Sequence, residues 1–96
     1  MSYWIRQEFR SYWIILGKEK ESIESFDKAL KINPNYIYAL YNKGVNLGNL
    51  GKYKEAIESF DKALKIDPND VNALTSKGDA LNRLRREAIE SFDKTR

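Results

Sequence analysis

Residues 54–69 read KEAIESFDKALKIDPN and residues 20–35 read KESIESFDKALKINPN, so 14 of 16 positions agree across an offset of 34 residues. The same offset relates Gly17 to Gly51, Pro34 to Pro68, Ala39 to Ala73, Leu40 to Leu74, Lys43 to Lys77, Gly44 to Gly78 and Leu47 to Leu81. A fixed period of this length marks a repeat in which each unit is one supersecondary element that buries its apolar face only against its neighbours. The register divides the 96-residue chain into units 3–36, 37–70 and a shortened 71–96, together one domain.

The middle unit reads as two helices. Ala39, Leu40, Gly44, Leu47 and Leu50 recur at three and four, which gives helix A an apolar stripe. Gly51 interrupts that pattern with a permissive backbone, and a second stripe of Ala56, Ile57, Phe60, Ala63 and Leu64 forms helix B. Asp67 and Pro68 end it, because the residue before proline is disfavoured in helix. Small residues at Gly44, Ala56 and Ala63 let two helices on a short turn approach closely, and Phe60 fills the space beside them. The fold class is therefore all-α.

Composition narrows the function. The chain contains neither histidine nor cysteine, which removes the commonest general base, the best nucleophile and the usual zinc ligands. No glycine-rich phosphate loop or acid/base pair appears, so no enzyme, cofactor or metal site is expected. The net charge of +3 is spread along the chain, with only Arg83, Arg85 and Arg86 clustered, which argues against a nucleic-acid interface. The longest wholly apolar run, Tyr12–Leu16, is far short of the roughly 20 residues that span a bilayer. The chain reads as cytoplasmic and unattached to membranes.

In the third unit Leu84-Arg85-Arg86-Glu87-Ala88 stands for Leu50-Gly51-Lys52-Tyr53-Lys54-Glu55-Ala56, with two turn residues missing. What remains is good helix-forming sequence, without Gly or Pro from Asp79 to Arg96. Leu74, Gly78, Leu81, Leu84 or Arg85, Ala88 and Phe92 keep a three/four spacing straight through the former turn. This predicts one continuous helix from about Val71 to about Asp93, the alternative being a tight two- or three-residue turn with a frayed C-terminus. Such a helix cannot fold back on itself, so Leu81, Leu84, Ala88, Ile89 and Phe92 become candidates for self-association, with exchange of an identical element between two chains the simplest route to a homodimer or higher oligomer. In the first unit helix B is intact, with Gly17 in the register of Gly51, but helix A is apolar nearly all round and has Arg10 where Gly44 and Gly78 stand. That segment is either an N-terminal cap or an aromatic contact surface.

The period, the helix-turn-helix unit and the positions of Gly44, Leu47, Ala56, Phe60, Ala63 and Pro68 resemble the tetratricopeptide repeat (TPR) over essentially the whole chain, although Leu40 replaces the family tryptophan and Lys43 its usual leucine. The resemblance implies a helix-turn-helix solenoid that serves as a protein–protein interaction scaffold, from which the last repeat departs if its missing turn opens it into one long helix. It further implies that the A helices line a concave groove for an extended peptide or partner helix. Carried to matching positions, that groove would hold Trp4, Gln7, Glu8 and Ser11 from the first unit, Tyr38, Tyr41, Asn42, Val45 and Asn49 from the second, and Asn72, Thr75, Ser76, Asp79 and Arg83 from the third. The family's clamp for a C-terminal carboxylate is matched only at Asn42, and no cation stands at Gln7, Ser11, Asn72 or Ser76, so ligands of that type are not expected. Two functions stay open: a peptide-binding scaffold, or a domain-swapped unit whose main partner is another copy of itself.

Overall fold

The computed structural model describes the backbone of residues 2–94 and the side chains of residues 16–92. Four helices follow one another: α1 (Ser2–Ile32), α2 (Ile37–Asn49), α3 (Tyr53–Ile66) and α4 (Val71–Lys94). Helix α2 packs on both α1 and α3, and α4 lies against α3 and touches α2. The radius of gyration is 16.0 Å, above the ~12.5 Å of a compact chain of this length. Long outer helices account for the difference, since at ~1.5 Å per residue α1 runs about 46 Å and α4 about 36 Å.

The middle hairpin is closed by its turn. Gly51 takes φ +80°, Lys52 N–H donates to Leu47 O at 2.9 Å and Gly51 N–H to Gly48 O at 3.0 Å. This pair of bonds is the Schellman arrangement, which satisfies two terminal carbonyls of α2 and reverses the chain. The two longer connections are copies of each other. Asn35 N–H donates to Asn33 Oδ1 and Asn69 N–H to Asp67 Oδ1, both at 3.1 Å, so each Asx-Pro-Asn segment caps its own turn.

Helices α2 and α3 supply the buried residues in equal share, and α4 adds Ala73 and Ala80. Leu47, Ala56, Phe60 and Ala80 form one buried cluster, with Ile23, Tyr41, Val45, Tyr53 and Ile57 packed around it. Leu40, Ala63 and Ala73 form a second, flanked by Leu30, Tyr41 and Leu64. A Cβ on Gly44 would lie 2.5 Å from Phe60 Cε1, so glycine is what allows α2 and α3 to close on that ring. Two ion pairs repeat with the period, Lys43 Nζ to Asp27 Oδ1 and Lys77 Nζ to Asp61 Oδ1, each at 2.6 Å.

The third unit is one helix from Val71 to Lys94, as the missing turn predicts. The first unit departs from expectation. Its segments equivalent to helix A and helix B are fused in α1, and Gly17 sits inside the helix without the left-handed φ of Gly51. The local sequence Leu16-Gly17-Lys18 repeats Leu50-Gly51-Lys52, so the cause is not in the turn itself. Closing the α2–α3 hairpin brings Phe60 onto Gly44 and partly buries Tyr53. In the first unit these positions are Arg10 and Glu19. Without a glycine seat, Phe26 instead turns its ring edge-on to Tyr38 of α2, 6.1 Å between centroids, and the helix keeps its backbone bonds through Gly17 at a propensity cost of about 1 kcal/mol.

Candidate functional site between α2 and α4

Between α2 and α4, across the start of α3, lies an open cavity of about 370 Å³ lined by Val45, Asn49, Ser76, Asp79 and Arg83, with Gly44, Gly48, Tyr53, Phe60 and Ala80 as its floor and sides. Small residues build it. Gly44 and Gly48 keep α2 low, and Ala80 does the same for α4, so half-buried Tyr53 is reached from above while Phe60, 2% exposed, closes the bottom. Val45, Asn49, Ser76, Asp79 and Arg83 are each expected from the sequence, and the structure brings these five to one place.

The other expected positions fall elsewhere. Tyr41 stands just below, its ring 5.9 Å from Phe60 and its hydroxyl 3.4 Å from Ser76 Oγ, which makes it part core and part support for the groove. Asn42 Nδ2 donates to Tyr38 O at 2.8 Å, one turn back on its own helix. Tyr38 is exposed at the first turn of α2, where it meets Tyr36 and Phe26. Asn72 and Thr75 are exposed on α4 beyond the cavity. Trp4, Gln7, Glu8 and Ser11 lie on the part of α1 whose side chains are outside the described residues.

One residue beside the groove escapes sequence reasoning. Glu19 Oε1 accepts a hydrogen bond from Asn49 Nδ2 at 3.2 Å, and its buried Oε2 has no hydrogen-bond partner. Glu19 belongs to the helix B side of the first unit, which the family pattern does not place in the groove. Its only signal is that it replaces Tyr53 in an otherwise identical register.

Of the self-association candidates, Leu81, Ile89 and Phe92 are 47%, 54% and 64% exposed, and Ala88 is exposed beside them. Leu84 is different. It is half-buried and lines a shallow depression with Gly51–Glu55 at the α2–α3 turn, so the outward stripe passes through Arg85.

Among the described residues no group of three or more His, Cys, Asp or Glu is placed to hold a metal, and no helix is long and apolar enough to cross a membrane. A helical hairpin flanked by helices that repeat its halves defines an α-helical repeat scaffold. The tetratricopeptide repeat family profiles match residues 11–36 and 37–70, and the chain belongs to that family. Repeats of this kind generally mediate protein–protein interaction, typically without catalysis. No curated protein matches the chain significantly.

Proposed function

We propose that the chain is a single-domain, non-catalytic binding module whose groove between α2 and α4 takes a short extended peptide from a protein partner. The observation that carries this reading is the convergence of Asn49, Ser76, Asp79 and Arg83 around the half-buried ring of Tyr53. A tyrosine ring among polar groups offers an extended ligand both flat contact area and hydrogen-bond partners. The amide and hydroxyl can pair with the backbone of an extended ligand, while Asp79 and Arg83 set its charge register.

A display library of short peptides selected on the protein, then counter-selected on Val45→Arg, tests it. Val45 is half-buried at the groove wall, so arginine there narrows the site without emptying the core. Selected peptides are expected to lose at least tenfold in affinity for Val45→Arg and for Asn49→Ala. Peptides that bind both variants as well as wild type would remove the groove from consideration.

A second reading, self-association, is favoured by a separate observation: Leu74, Leu81 and Ile89 are 50%, 47% and 54% exposed along one side of α4. A soluble helix ordinarily turns such a stripe toward a partner.

A further inference from the structure

The exposed end of α4 repeats a segment whose packing is visible elsewhere in the same molecule. Residues 87–94 read EAIESFDK, identical at all eight positions to residues 55–62 of α3. In α3 that segment is the inner wall of the hairpin, with Ala56, Ser59 and Phe60 at 0%, 6% and 2% exposure. In α4 its counterparts Ala88, Ser91 and Phe92 are all exposed. The surface that receives the segment is duplicated too. Leu40, Gly44 and Leu47 are buried beneath α3, whereas Leu74, Gly78 and Leu81 are exposed. A Cβ on Gly44 meets Phe60; a Cβ on Gly78 meets nothing within 4 Å. Gly78, Leu81, Asn82 and Arg85 border an open notch there.

One straight helix thus carries both halves of a known interface, an inner wall and its seat, and cannot bring them together within a chain. We infer that α4 pairs antiparallel with α4 of a second copy, each helix placing its Ala88–Phe92 segment on the Leu74–Leu81 face of the other. This deepens the self-association reading, and rests on it, by fixing partner and register. In the hairpin Gly44 faces Phe60, and the antiparallel register that this fixes sets Leu47 opposite Ile57, both in the same cluster. Carried into α4, with the two-residue deletion, Gly78 faces Phe92 of the second copy and Leu81 faces its Ile89. Partners then stand at equal distances on either side of Arg85, so the twofold axis passes beside that residue and sets two like charges opposite each other. The same contact is made twice, as a twofold interface requires.

The register gives substitutions of opposite sign. Gly78→Leu adds a side chain to open space within a chain but fills the seat of the incoming ring, and is expected to weaken the dimer at least 30-fold while keeping the helix content. Arg85→Leu removes the like-charge contact at the axis and is expected to tighten it about tenfold. Since the chain has no cysteine, Arg85→Cys gives one thiol per chain at the axis, which a short bis-maleimide is expected to join, whereas Thr75→Cys stays unlinked. Light scattering over a concentration series reads the assembly. Twice the chain mass, lost in Gly78→Leu and strengthened in Arg85→Leu, establishes the pairing. A wild-type monomer throughout overturns both this inference and self-association, leaving the groove reading intact. A dimer indifferent to Gly78→Leu and unlinked at position 85 overturns the register alone.

Discussion

Gly44 and Gly78 stand one repeat apart in the same sequence register, yet the same substitution should act on them with opposite sign. Alanine at 44 places a Cβ 2.5, 2.8 and 2.9 Å from Cε1, Cδ1 and Cζ of Phe60, about 0.9 Å inside the 3.4 Å at which contact becomes ordinary. The ring cannot give way freely, because Phe60 is 2% exposed and Tyr41 stands 5.9 Å away. Overpacking costs ~1–3 kcal/mol, and three ring carbons within 3.0 Å place this case in the upper half, about 2–3 kcal/mol, against a gain of about 1 kcal/mol from replacing glycine inside a helix. The net expectation is a loss of about 1–2 kcal/mol, a large share of the roughly 5–10 kcal/mol that a chain this size has to lose. Alanine at 78 meets nothing within 4 Å and should stabilise by about 0.4–1 kcal/mol. Urea unfolding reads both, in an Ile89→Asp background that keeps two α4 helices apart, so that only the fold of the single chain is measured. With m near 1 kcal/mol/M, the midpoints should move about 1–2 M down for Gly44→Ala and up to about 1 M upward for Gly78→Ala. Equal shifts of one sign would refute the claim that close approach to Phe60 is what requires glycine at 44.

Two further substitutions test the connections. Asp70 Oδ1 accepts hydrogen bonds from Asn72 N–H and Ala73 N–H at 3.1 and 3.4 Å, so Asp70→Ala should cost about 0.5–2 kcal/mol as a lost helix N-cap, read by thermal unfolding and relieved by Asp70→Ser. Gly51→Ala forces an L-residue to φ +80° at a cost of roughly 1–2 kcal/mol. Because the outer units already run straight, that variant should also raise the helical content measured by circular dichroism; an unchanged midpoint and spectrum would mean that the turn is not held by the glycine.

The parts of this fold that could be read in advance are those decided locally. The loss of two turn residues between Leu84 and Ala88 left nothing to reverse the chain, and α4 is straight. The opposite holds at Leu16-Gly17-Lys18, where the letters of the hairpin turn are present and the turn is absent. A Schellman turn closes only if the helices it joins gain from meeting. That gain depends on Gly44 and Tyr53, whose counterparts Arg10 and Glu19 are distant or unremarkable in any local window. The candidate groove divides the same way. Val45, Asn49, Ser76, Asp79 and Arg83 are the positions to which the tetratricopeptide resemblance carries a groove, whereas Glu19 meets Asn49 across α1 and α2, in a unit whose fused helix the repeat pattern does not foretell.

The two proposed surfaces do not compete for α4. At about 100° per residue, Leu74, Gly78, Leu81 and Ala88 share one side of the helix, and Ser76, Asp79 and Arg83 point roughly opposite. Ala73 and Ala80 lie between, buried against α3 and α2. A pair of α4 helices joined along the first side therefore leaves both grooves open and turns them outward, so the assembly presents two copies of one peptide site in a fixed relation. Such a dimer should hold a ligand carrying two copies of a selected peptide far more tightly than one copy, by an amount set by the linker rather than by any new contact. In Gly78→Leu that advantage should vanish while affinity for the single peptide is kept, because residue 78 faces away from the groove.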